Sequence, residues 1–179
     1  MTDTVVLFAG HRVDEPGRTP PRFPPECEEK ARLAIRRVMQ RIAGESQGPL
    51  LGIAGAADGG DILFHEVCEE LGIPSEVCLA LPAAQYVGTS VHASWTDRFY
   101  RLLRTHIART LDPVAGDVFL RDHEWQLRRA REKHARRTVL VALTEAGEAG
   151  LPGGTSGMVR MAEESGMEVI RLNTRELCA

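Results

Sequence analysis

Long hydrophobic runs are missing from this chain of 179 residues. None approaches the roughly 20 residues that carry a helix across a bilayer. No basic stretch precedes the first apolar run, in MTDTVVLFAGHR. That run reads as a first strand, and a signal peptide is not expected. Paired cysteine motifs are missing too. Cys27, Cys68, Cys78 and Cys178 are scattered with no CxxC, which suggests neither a zinc knuckle nor a disulfide framework and predicts reduced thiols in a cytoplasmic protein. The histidines, at 11, 65, 92, 106, 123 and 134, form no HExxH or other ligand spacing, so no metal site is expected. GxSxG, GxGxxG and the GK[ST] of a Walker A loop are all absent. An excess of positive charge is lacking as well. A net charge of −3 argues against a surface given over to nucleic acid or an anionic membrane. There is no internal repeat or low-complexity segment.

What is present is the composition of an ordinary soluble globular protein, 43% hydrophobic and 26% charged. The length suits a single domain over 1–179. Apolar runs at 4–9, 49–54, 76–81, 138–143 and 168–172 predict five strands. Helical spacing or helix-boundary signals predict helices beginning at Pro24–Pro25 and ending at Gly44, then at 62–71, 83–112, 123–136 and 156–166. A short strand at 118–120 is a further expectation. Uniformly apolar strands alternating with helices predict a Rossmann-like, doubly wound α/β fold: a parallel sheet in the order 3-2-1-4-5 with helices on both faces. In such a sheet ligands bind beyond the carboxyl ends of the strands, where the order reverses. That point lies between the first and fourth strands.

The unusual loops of the sequence fall around that crevice. After the first strand comes Gly10-His11-Arg12, then a segment over 12–25 with five prolines, an ordered functional loop or a lid. Arg12, Arg18 and Arg22 in it are phosphate clamps or solvated surface residues, with Arg12 the preferred clamp. After the second strand comes GAADGGD, 55–61. Gly55, Gly59 and Gly60 allow close backbone approach. Asp58 and Asp61 suit ribose hydroxyls, a base amino group or a metal, and Asp61 alternatively caps the next helix. After the fourth strand comes PGGTSG, 152–157. Gly153, Gly154, Thr155 and Ser156 place small, donor-rich residues at a helix N-terminus, where a phosphate or carboxylate fits. A plain turn with an N-cap is the other explanation. Trp125 suits stacking on a base or a place in the core. The basic run 128–137 reads as a solvated helix face rather than a nucleic-acid patch.

FAGHR at 8–12, AGAADGGD at 54–61, RDHEWQL at 121–127 and PGGTSGMVRMAEESGMEVI at 152–170 together resemble the SLOG superfamily of Rossmann-like proteins. It includes the Lonely Guy phosphoribohydrolases and the DNA-processing protein A fold. The arginine- and proline-rich segment 11–25 resembles a subgroup largely of unknown function. The resemblance spans nearly the whole chain and implies a pocket for a nucleotide or nucleotide-derived ligand over the first, second and fourth strand loops. It does not carry over the Lonely Guy reaction. Aligned on Pro152, Arg160 stands where the PGGxGTxxE motif of those enzymes has its glutamate. The expected function is therefore binding or sensing of a small nucleotide-type ligand, without cofactor, nucleic acid or membrane. N-glycosidic hydrolysis or transfer is the alternative, with Asp58 and Asp61 as its only acid candidates. Pairing of two copies through helices is compatible with such a fold.

Overall fold

The computed structural model describes residues 2–113, 115–145 and 153–179. The chain begins with β1 (Thr4–Gly10) and, after a 3-10 turn at Pro25–Cys27, enters α1 (Glu28–Glu45). β2 (Leu50–Ala54), α2 (Gly60–Glu70) and β3 (Ser75–Leu79) follow. Next come α3 (Ala83–Ser90), α4 (Thr96–Thr105) and β4 (Ile107–Thr110). The chain closes with α5 (Val118–Glu132), β5 (Arg137–Thr144), α6 (Thr155–Glu164), β6 (Glu168–Asn173) and α7 (Thr174–Cys178).

All strand pairs are parallel, in the order β4-β3-β2-β1-β5-β6. The five predicted strands keep their predicted order, and a sixth extends one edge. Strand residues alternate between two cores, as the period of two requires. Val6 and Phe8 of β1 face a layer formed with Ile35 and Met39 of α1 and Phe64 of α2. Val5 and Leu7 face the opposite layer, formed with Leu127 and Ala130 of α5 and Met158 of α6. The result is a doubly wound α/β sheet with helices on both faces.

Three expectations need correction. The segment 83–112 is not one helix. His106 leaves α4 with extended dihedrals, and Ile107–Thr110 pairs with Glu76–Leu79 of β3. β4 is exposed throughout, so it carries none of the apolar patterning that marks a buried strand. Its strand character comes from the neighbouring backbone. Residues 118–120, predicted as a strand, are the first turn of α5. Asp117 caps that turn by accepting from the Phe119 and Leu120 amides. The helix thus starts earlier than 123, and it stops at Glu132, ahead of left-handed His134 (φ 50°).

The third correction concerns the cysteines. Cys27 and Cys178, 151 residues apart in sequence, form a disulfide with their Cα atoms 5.5 Å apart. Sequence separation hid the pair. Only the packing of α7 against the start of α1 brings the two together. Cys68 and Cys78 are free and buried. Thiol titration of protein denatured without reductant therefore finds Cys68 and Cys78 alone. Prior reduction exposes Cys27 and Cys178 as well.

The predicted proline-rich loop after β1 is docked onto the domain. Asp14 accepts from the Arg22 and Phe23 amides at 2.7 and 2.9 Å, and its own amide donates to the Phe23 carbonyl. These bonds close the loop on itself. Phe23, fully buried, plugs it into the α1–α2 core beside Val13. The basic run 128–137 is tied to acids of the same chain. Arg129 and Lys133 converge on Glu76, a buried carboxylate of β3, and Arg137 bridges Glu45 and Glu168. No helix among the described residues is long and apolar enough to cross a membrane.

Candidate functional site

The carboxyl ends of β1, β2 and β5 meet at the reversal of strand order, and two glycine contacts bring their loops together. A Cβ on Gly10 would lie 2.8 Å from the Gly60 Cα, and the reverse holds for Gly60. The end of β1 thus rests directly on the start of α2. Gly59 (φ 88°, ψ −123°) lies against the His11 carbonyl and the Val13 amide. The Gly60 amide donates to the His11 carbonyl at 3.1 Å. Gly59 and Gly60 therefore bind the two loops to each other. His11 extends the tie to β5: its amide donates to the Leu143 carbonyl, and its Nε2 accepts from the Glu145 amide at 3.1 Å.

Arg12 and Asp58 are also brought together. Asp58 is fully buried, and its Oδ1 accepts from Arg12 Nε at 2.6 Å. Its other oxygen contacts His92 Nδ1, and His92 Nε2 lies 2.6 Å from Glu15. Burial works against a charge on His92, but the bonds to Asp58 and Glu15 outweigh it and raise its pKa. Arg12 Nη1 donates to the Thr89 carbonyl. Asp58 is thus the buried anion that fixes Arg12 and His92. The sequence placed Arg12 and Asp58 in the crevice without revealing their pairing, and it missed His92 and Glu15. Arg18 reaches Asp14 at 3.4 Å.

Asp61 belongs to a different cluster, over Gly55 at the end of β2. It accepts from the Ala57 and Gly10 amides. The Gly55 Cα has no room for a side chain, because a Cβ would lie 2.6 Å from Asp61 Oδ2 and 3.2 Å from the Tyr86 hydroxyl. Tyr86, from α3, accepts from the Ala56 amide. Asp122 comes in from α5 on the other face of the sheet. It is 6% exposed; its Oδ2 accepts from Gln126 Nε2 at 2.8 Å, and its Oδ1 has no hydrogen-bond partner among the described residues. Gln126, 3% exposed, likewise leaves Oε1 without a partner among the described residues. Burial pushes the Asp122 carboxyl up to about 7, with the neighbouring Asp61 adding to the rise. Asp61 is pushed up to about 7 by burial, against the amides that favour its charge and with Asp58 assisting. Tyr86 is raised by burial and by both Asp61 and Asp122.

The sequence offered one faint sign of this cluster. Asp122 and Gln126 stand four residues apart on the stripe that continues into Leu127 and Ala130, where an amphipathic helix has apolar residues. Tyr86 gave none.

At the end of β5, the start of α6 completes the crevice. Gly154 is its N-cap and, as glycine, brings no side-chain cap of its own. The amides of Gly157 and Met158 return to the Gly154 carbonyl. Thr155 and Ser156 are half-buried in the first turn. A Cβ on Gly153 would lie 3.1 Å from the Phe119 Cβ and 3.3 Å from Asp117 Oδ1. The N-termini of α5 and α6 therefore touch through Gly153. Residues 146–152, including Pro152, lie outside the described residues. Trp125 packs partly buried against the α5–α6 core with Arg129 over its ring at 5.8 Å. Arg160 is exposed on α6. Among the described residues no group of three or more His, Cys, Asp or Glu side chains is arranged to hold a metal ion. Comparison with models of protein families and with curated proteins gave no match.

Proposed function

We propose that the crevice binds a small nucleotide-type ligand, with its phosphate at the start of α6. The observation carrying this reading is the start of α6 at the reversal of strand order, with a glycine, Gly154, at its N-cap. A helix start without a side-chain cap leaves amide donors and the positive end of the dipole for an anion. The resemblance to nucleotide-binding SLOG proteins points the same way. In this reading Gly153 lets α6 approach α5, Thr155 and Ser156 add hydroxyl donors, and Gly10, Gly59 and Gly60 shape the floor.

Gly154→Asp tests the proposal. Gly154 has φ −99°, open to any residue, and aspartate is a favoured N-cap. The variant folds with an unchanged or higher thermal midpoint, while its carboxylate occupies the amides. A thermal-shift screen of nucleoside mono- and diphosphates, cyclic nucleotides and ADP-ribose raises the midpoint of the wild type and not of Gly154→Asp. No shift with any of these compounds refutes the reading.

The carboxyls of Asp61 and Asp122, both raised by burial to about 7, favour a second reading, N-glycosidic hydrolysis or transfer. Groups that titrate near neutrality suit general acid–base work. Release of free base from a panel of nucleoside 5′-monophosphates separates this reading from binding alone.

A further inference from the structure

The two sulfurs of the Cys27–Cys178 disulfide have unlike surroundings. Cys27 is 2% exposed and belongs to the core, whereas Cys178 is half-buried on the short helix α7. Other residues of that helix have partners too. Leu177 packs against the same core, and Arg175 forms an ion pair with Glu145. Glu145 follows β5 directly, and its amide donates at 3.1 Å to Nε2 of His11, in the loop after β1. α7 therefore starts at the crevice end of the sheet, where Asn173 of β6 pairs with Thr144, and ends on Cys27. Cys27 in turn stands two residues beyond Pro25, at the exit of the proline-rich segment. The helix spans from the loop after β5 to the loop after β1 and is fastened at both ends.

We propose that the Cys27–Cys178 pair is a thiol–disulfide exchange site for a dithiol reductant, and that opening it releases α7 from the two crevice loops. Exchange starts at the sulfur that a thiolate can reach, which is that of Cys178. A reductant thiolate attacks Cys178 Sγ and the bond to Cys27 breaks. Cys27 leaves as a thiolate and takes a proton from water. The second thiol of the reductant, as its thiolate, then attacks the reductant's own sulfur in the mixed disulfide. Cys178 is released and protonated in the same way. Two electrons pass to the protein, and the reductant becomes a cyclic disulfide.

Cys27 is suited to leave. It is the N-cap of α1, where the positive end of the helix favours a thiolate, and a better stabilised thiolate departs faster. Acids in that first turn are engaged elsewhere: Glu28 pairs with Arg98 and Glu29 with Arg32. Cys68 and Cys78 do not divert the exchange. Both are buried, and burial raises both thiols far above neutrality. Closure is as local as opening. β6, paired with β5, keeps α7 near α1 after reduction. The pair then returns to its Cα separation of 5.5 Å, within the range a disulfide spans.

Hydrogen exchange of the folded chain with and without dithiothreitol, with thiol alkylation in parallel, tests the site. In the reduced protein the amides of α7 and of Glu145 exchange at least about tenfold faster, because the constraint of the disulfide on that helix is gone. Amides of β1 and β2 are unchanged, and alkylation labels Cys27 and Cys178. An excess of oxidised glutathione restores the slow pattern. Cys178→Ser shows the fast pattern with or without reductant. Arg175→Ala speeds Glu145 while the disulfide stays closed, which separates the ion pair from the covalent bond. A disulfide that resists dithiothreitol until denaturant is added overturns the exchange site. Reduction that leaves Glu145 unchanged overturns the release of α7. Reduction that speeds β1 along with α7 makes the disulfide a requirement of the fold and overturns it too, as does failure to close again with oxidised glutathione. No ligand enters these measurements, so their outcome is independent of the nucleotide reading.

Discussion

Asp122→Asn raises the thermal midpoint at pH 8 by about 10 °C and shifts it little near pH 4. The reason is the proton that burial keeps on this carboxyl. Its folded pKa is about 7 against an ordinary value of 3.8. Between those two values the folded state holds a proton that the unfolded chain has lost, so stability falls as pH rises through the window. Above pH 7 the full cost is present, about 4 kcal/mol at 1.36 kcal/mol per pH unit. Asparagine has no such titration. The Gln126 amide still donates to its side-chain oxygen, as it does to Asp122 Oδ2. Any cost of a newly buried amide hydrogen is the same at both pH values, so the growth of the difference with pH is the readout. For a domain of this size each kcal/mol moves the midpoint by about 2–4 °C. A difference between variant and wild type that stays flat from pH 4 to pH 8 would show that Asp122 is solvated and charged in the folded protein.

The wild type itself shows a weaker pH trend, because buried histidines act in the opposite sense. His65 donates from Nε2 to the Gly55 carbonyl and accepts at Nδ1 from Ser75. Burial depresses its pKa to about 4. It therefore removes stability as pH falls from 6.5 toward 4, where the carboxyls restore it.

Gly59→Ala is the second large effect: a loss of at least about 3 kcal/mol, seen as a fall in midpoint of roughly 6–12 °C. Two costs add. At φ 88° and ψ −123° the backbone is in a region that only glycine enters without strain. The new Cβ would also lie 2.8 Å from both the His11 carbonyl oxygen and the Val13 nitrogen. Both obstacles are backbone and belong to the loop pinned by Asp14 and Phe23, so neither can swing aside. Two other glycines calibrate the effect. Gly72→Ala has the positive φ but open space, and costs about 1–2 kcal/mol. Gly88→Ala lies exposed in α3 with open space and an ordinary φ, and stabilises by about 0.5–1 kcal/mol. If chemical denaturation gives Gly59→Ala and Gly72→Ala equal losses, the packing of the two loops is not what demands a glycine at 59.

Much of this architecture is written in local pattern. Apolar runs such as TVVLFA and TVLVAL are too uniformly hydrophobic for any place but a sheet covered on both faces, and β1 and β5 both stand inside it with a strand on either side. Right-handed crossovers then fix the order of the five predicted strands and put GHR, GAADGGD and the GGTS stretch at one end of the sheet. These features depend on period and chirality, which neighbouring residues carry. Tertiary structure decided the rest. Ile107–Thr110 is a strand because β3 offers its edge, and exposed residues leave no hydrophobic signature of that. Asp58 belongs to Arg12 and His92, whereas Asp61, three residues on, belongs with Tyr86 and Asp122. GAADGGD is one loop, yet its two aspartates face different partners, 46 residues back in one case and 61 residues ahead in the other. Cys27 meets Cys178 only when the last helix closes over the first. Pairings at such separations leave no trace in spacing, because burial and charge act between side chains that only the folded chain makes neighbours.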